Sequence, residues 1–125
     1  MKITLCGSTR FKKTYQEYNT RLTLAGHVVY TVAWVKEDET SASTNQVDDK
    51  AKENLDLVHL AKILNSEAIL VIGREDGTTG NEFYIGDSTR REIVWAQMNA
   101  KSVFFDIDDI LATYRGDSTD ISLPD

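Results

Sequence analysis

The chain of 125 residues is long enough for one domain that buries roughly two-thirds of its unfolded surface, so neither a disulfide nor a structural metal is required to hold it together. Its net charge of −6 and pI near 4.9 leave no basic footprint for a nucleic acid polymer or an anionic membrane surface. Its one cysteine, Cys6, excludes a disulfide framework or a cysteine cluster within the chain, and no metal or cofactor is expected; with no signal-like segment and no apolar run of membrane-spanning length, a cytoplasmic protein is expected.

In chain order, "KITLC" (2–6) is a β-branched, apolar run that predicts a strand ending at Gly7, with Cys6 as a small buried hydrophobe. "CGSTRF" (6–11) follows at once. Gly7 permits a tight turn, Ser8 and Thr9 set hydroxyls beside the free N–H groups of a helix start, and Arg10 adds a fork of donors. That is a cradle for a phosphate or carboxylate; an ordinary N-cap followed by a solvated arginine fits the same residues equally well. Over 11–25 the spacing of Phe11, Tyr15, Tyr18, Leu22 and Leu24 predicts a helix that Gly26 ends in the left-handed conformation, and "HVVYTV" (27–32) predicts a second strand. Residues 36–49 are polar and aperiodic, and read as a surface loop rather than a lid.

A second helix is expected from about Asp48 to Leu64, with Ala51, Leu55, Leu60, Ile63 and Leu64 on its apolar side. His59 falls in the row of Ala51, Leu55 and Ile63. A histidine so placed is usually a satisfied core residue; near the strand ends it would donate a proton close to neutral pH. "EAILVIG" (67–73) predicts a strand covered on both faces, "REDGTTGNEFYIGD" a glycine-rich loop, "STRREIVWAQMNA" (88–100) a third helix and "SVFFDI" (102–107) a fourth strand. Residues 1–108 then form the domain and 109–125 an acidic tail with a short helix at "DDILATY". Strands alternating with helices require a three-layer α/β fold on a parallel sheet of four to five strands. Ligands gather at the carboxyl ends of such strands, so the loops 6–11, 32–48 and 73–88 are the ones to watch.

The stretch "YIGDSTRREIVWA" (84–96) holds the sharpest ambiguity. Glu92 stands three residues after Thr89, the spacing of a capping box. A carboxylate early in a helix, behind a turn containing Gly86, Asp87 and Ser88, also suits a nucleophile beside an anion site. The two uses compete for one side chain. If Glu92 faces a pocket, Ser88 or Asp87 is expected to cap the helix.

Taken together, "KITLCGSTRF", "LVHLAKILNSEAILVIG" and "YIGDSTRREIVWA…KSVFF" resemble the nucleoside 2-deoxyribosyltransferase-like superfamily over residues 2 to about 105, most closely its small bacterial and phage branch with a "YIGxSTRxEI" signature. The resemblance implies a flavodoxin-like, Rossmann-like fold, a homodimer or higher homo-oligomer, and cleavage of the N-glycosidic bond of a nucleoside or nucleoside 5′-monophosphate. It implies that Glu92 is the carboxylate that attacks C1′. It also implies that His59 stands where characterised members carry an aspartate near the base or sugar, and that Gly7, Ser8, Thr9 and Arg10 wrap the 5′-phosphate. Gly86, Asp87 and Ser88 complete the expected substrate-binding set. Thr4 stands where some transferases have a tyrosine, and Phe83 where related sequences often have glycine. A hydrolase acting on a 5′-monophosphate is the favoured expectation, ahead of base exchange by a transferase and of a non-catalytic nucleotide sensor.

Overall fold

The structure, a computed structural model, describes residues 1–34, 48–75 and 83–114. Strand β1 (Lys2–Gly7) leads through a 3-10 turn at Thr9–Phe11 into α1 (Lys12–Leu24), and β2 (Val28–Tyr30) follows. After the segment 35–47, which held the expected polar loop and lies outside the described residues, α2 (Asp49–Leu64) crosses to β3 (Ala68–Ile72). Then come α3 (Asp87–Met98), β4 (Ser102–Phe104) and α4 (Ile107–Thr113). The sheet is all parallel with order β2-β1-β3-β4, and Leu5 is in register with Leu70, which is in register with Phe104. This is the α/β three-layer arrangement that the alternation of strand and helix patterns predicts, of the flavodoxin or Rossmann kind.

Strand alternation sorts the core into two halves. Ile3, Leu5, Leu70 and Ile72 point to one face and pack with Tyr15 and Leu22 of α1 and Ile107 and Ile110 of α4. Cys6, Ile69 and Val71 point to the other, against Ile63 of α2 and Ala96 of α3. All five residues of β3 are buried, as a near-continuous apolar run demands. Alpha-helix α1 corrects one expectation: Leu24 is 83% exposed and Thr14 takes a buried place instead, because two positions of helix turn Leu24 away from the side that holds Leu22. Likewise α2 leaves Leu64 43% exposed. Strand β4 is shorter than expected because Asp106 leaves the sheet to cap α4, its carboxylate accepting from the Asp108 N–H at 2.9 Å. Through Ile107 and Ile110 the fold runs on into α4, and residues 115–125 of the expected acidic tail lie outside the described residues.

Two glycines serve the carboxyl end of the sheet. Gly7 has φ +148, and a Cβ there would lie 2.2 Å from the Ile72 carbonyl oxygen, so β1 can turn beside β3 only without a side chain. Gly73 receives the ring of Phe83 where a Cβ would stand, and its carbonyl accepts from the Tyr84 N–H at 2.8 Å. Phe83 therefore closes the sheet end from above. No helix among the described residues is long and apolar enough to cross a membrane.

Candidate functional site

A cavity of about 700 Å³ opens at the carboxyl ends of β1 and β3, the point where the strand order reverses. Gly7, Ser8 and Thr9 form one wall, Gly86 through Thr89 and Glu92 a second, and α2 a third through Ala51, Leu55, Asp56, His59 and Lys62. The row Ala51–Leu55–His59 predicted from spacing thus faces the cavity.

 Glu92, His59, Gly7, Ser8, Thr9, Gly86, Asp87 and Ser88 all line the cavity. Arg10 instead lays its guanidinium over the ring of Tyr84, 4.1 Å from the centroid, and its Nε donates to Ser8 Oγ at 3.2 Å. Ser8 Oγ also accepts from the Arg10 N–H at 3.3 Å and so caps the 3-10 turn. The turn is therefore capped by Ser8, as the N-cap reading has it, and the same turn lines the cavity.

Helix α3 begins earlier than the expected capping box requires. Its N-cap is Gly86, in extended conformation, with no side-chain cap; the Gly86 carbonyl accepts from the Arg90 N–H at 3.0 Å. Asp87 and Ser88 are thus inside the first turn and do not cap the helix as expected, because the glycine's carbonyl already opens the ladder. Thr89 is buried at 4% exposure, and Glu92 lies a turn further in. The carboxylate is free of any capping duty and faces the cavity.

Around Glu92 the geometry is tight. Its Oε1 is 3.7 Å from His59 Nε2, and the same nitrogen is 3.5 Å from Cys6 Sγ. Cys6 is the residue whose importance local sequence did not show: it is fully buried, yet strand alternation aims it at the α2 and α3 side where His59 and Glu92 converge. Thr4, on the same face, is hydrogen-bonded to Ser66, whose hydroxyl donates to the Lys62 carbonyl at 2.8 Å; with its own hydroxyl also donating to that carbonyl at 3.1 Å, it ties off the end of α2. Tyr15 reaches the site's edge from the other side and donates to the Gly7 carbonyl at 2.7 Å. The two site helices are joined directly, Trp95 Nε1 donating to the Leu60 carbonyl at 3.1 Å.

Burial dominates the electrostatics. It pushes Glu92 up from 4.5 to about 7, against the hydrogen bond from Cys6 and the charge of Arg91, with Asp56 adding to the rise. Six residues past the N-cap, Glu92 stands beyond the first turn, where the influence of the helix N-terminus fades. Burial pulls His59 down from 6.5 to about 4, with Lys62 in the same direction and Asp56 opposing. At neutral pH the imidazole is therefore neutral, which corrects the expectation that it gives up a proton near pH 7. Their 3.7 Å contact is a polar pair and not an ion pair. The Cys6 thiol is raised, first by burial and then by the charge of Glu92. His59 Nδ1 is buried with no hydrogen-bond partner among the described residues.

Comparison with protein-family models, curated proteins and solved structures returned no match, so the chemistry is argued from this geometry.

Proposed function

We propose that the protein cleaves the N-glycosidic bond of a (deoxy)nucleoside 5′-monophosphate through a covalent glycosyl-Glu92 intermediate and releases the free base. The observation that carries this reading is Glu92 itself, a mostly buried carboxylate on the wall of a cavity of about 700 Å³, held beside His59 at a switch point of the sheet. A cavity of that volume suits a small-molecule substrate of nucleotide size.

In this mechanism a Glu92 oxygen bonds to C1′ as the C1′–N bond breaks, and the bonding pair leaves with the base. The base takes its proton from an acid in the cavity or from solvent. Because His59 is neutral at working pH, that proton comes from water in the cavity, beside the wall that carries Asp56 one turn before His59. His59 keeps a role as the group that holds the Glu92 oxygen. Water then adds to C1′ as the C1′–O bond to Glu92 breaks, its proton passes to solvent and replaces the one the base took, and the carboxylate is freed; a second base in place of water makes the reaction a base exchange. Gly7, Ser8 and Thr9 take the phosphate, with Arg10 at the rim, while Gly86, Asp87 and Ser88 meet the sugar. The uncapped N–H groups at the start of α3 support an anionic substrate. The reading includes a homodimer or larger homo-oligomer, supported by Leu57 of α2 and Val94 and Met98 of α3, all more than half exposed on two neighbouring helices.

The test is incubation with the common nucleosides and 5′-monophosphates, followed by chromatography for free base. Release from monophosphates is expected, and its loss in Glu92→Ala. Release that survives Glu92→Ala removes the nucleophile assignment. Turnover only when a second base is supplied makes the protein a transferase, and tight binding with no product in any mixture makes it a nucleotide sensor.

A further inference from the structure

Three side chains from three different elements meet at one point behind Glu92. Cys6 comes from β1, His59 from α2 and Glu92 from α3, and one ligand-type atom of each lies within 4.8 Å of the other two. The measured edges are 3.5 Å from sulfur to nitrogen and 3.7 Å from nitrogen to carboxylate oxygen. A tetrahedral zinc ion with bonds of about 2.3 Å to sulfur and about 2.0 Å to nitrogen and oxygen spans ligand edges of roughly 3.3 to 3.6 Å. Two edges of the cluster thus lie close to those of such a tetrahedron, and the third, between sulfur and carboxylate and no longer than 4.8 Å, needs to shorten by about an ångström or less as the ion is taken up. Because Cys6 is fully buried and His59 is 6% exposed, while Glu92 and His59 both line the cavity, the remaining corner faces the cavity.

We propose that Cys6, His59 and Glu92 bind one divalent transition-metal ion of the zinc class, with its fourth position open to the cavity. The donor set selects the ion. A thiolate and an imidazole favour zinc or cobalt over magnesium or calcium, which take oxygen ligands. Charge also balances, since a thiolate and a carboxylate together cancel the two positive charges in a site with little water. On binding, the Cys6 S–H bond breaks, a metal–sulfur bond forms from the pair left on sulfur, and the proton goes to buffer. His59 binds through Nε2, leaving Nδ1 to carry the ring proton. With no acceptor for Nδ1 among the described residues, the ion lacks the outer contact that typically strengthens binding by about 10- to 100-fold, so it is an exchangeable ion and not a structural one. The proposal does not rest on the glycosidase reading. Where both hold, metal and sugar compete for the same Glu92 oxygen.

The experiment uses the full chain, reduced and stripped with a chelator, then titrated with cobalt chloride and with zinc chloride in competition with a chromophoric chelator. One cobalt per chain is expected, with a thiolate-to-cobalt charge-transfer band that zinc abolishes. Cys6→Ser should lose that band, and His59→Gln and Glu92→Gln should each weaken zinc binding by more than about tenfold, with folding verified by circular dichroism. Asp108→Asn, at an exposed ion pair with Arg21, should bind as wild type. A folded wild-type protein without the band overturns the proposal. So does zinc affinity unchanged in Glu92→Gln, or equally weakened in Asp108→Asn. The titration reads the metal directly, so an absence of base release bears on the proposed enzyme activity alone.

Discussion

The two faces of the sheet are made by alternate residues of the same strands, and they differ in what they enclose. Toward α1 and α4, Ile3, Leu5, Leu70 and Ile72 meet aromatic and aliphatic side chains in a closed layer. Toward α2 and α3, Ile69 and Val71 pack with Ile63 and Ala96, but further along β1 the layer gives way to Cys6, His59 and Glu92 and then to the cavity. One face supplies cohesion. The other spends part of its cohesion on keeping ionisable groups out of water, and burial accordingly raises Glu92 and lowers His59 toward their neutral forms.

The contrast can be broken most forcefully from the closed side. Leu22→Ala removes a fully buried side chain and should lower unfolding free energy by about 2–5 kcal/mol in a urea titration, while leaving zinc binding by the folded protein unchanged. Coupled losses in both would mean the faces are not independent. Next in size is Glu92→Gln in chelator-treated protein. Because the folded carboxyl is raised from 4.5 to about 7, its protonated form fits the fold; the stability this contributes is complete below pH 4.5 and lost as pH rises through 7. The glutamine variant should therefore gain up to about 3 kcal/mol over wild type at pH 8 and nothing at pH 4, read from urea titrations at both values. The same titration predicts that base release, if Glu92 is the nucleophile, climbs with pH through about 7 as the carboxylate forms. A smaller effect comes from Asp48→Ala, which deletes the carboxylate that accepts from the Ala51 N–H at 2.8 Å and should cost about 1 kcal/mol. Smallest is Asp108→Asn at the exposed Arg21 pair, within about 0.5 kcal/mol of wild type by thermal melting.

Much of the closed face was legible because its information is periodic. The spacing of Tyr15 and Leu22, and the unbroken run Ala68–Ile72, announce burial without reference to anything distant. Leu24 shows where that reasoning slips, since an apolar residue one step out of row belongs to the exposed side. On the open face, His59 and Glu92 stood out by residue type and by resemblance. Cys6 did not, because its meaning depends on a contact 53 residues away. A signal was nevertheless present. Right-handed crossovers in this strand order put α2 and α3 on the same side of the sheet, and alternation puts Cys6 on that side too. The protonation states were beyond sequence reasoning, because they follow from how much water reaches each group. The start of α3 was missed for a related reason: Gly86 caps with its backbone, which leaves no mark in side-chain chemistry.

The indole of Trp95 has a use beyond joining two helices. Its N–H meets the carbonyl of Leu60, the residue next to His59, and it sits three positions after Glu92 on α3. Any ligand that pries those two side chains apart or draws them together must strain this strut, and a stretched indole hydrogen bond changes the colour of tryptophan emission. The protein thus carries its own optical gauge of the site, and Trp95→Phe would silence it while leaving every group that lines the cavity in place.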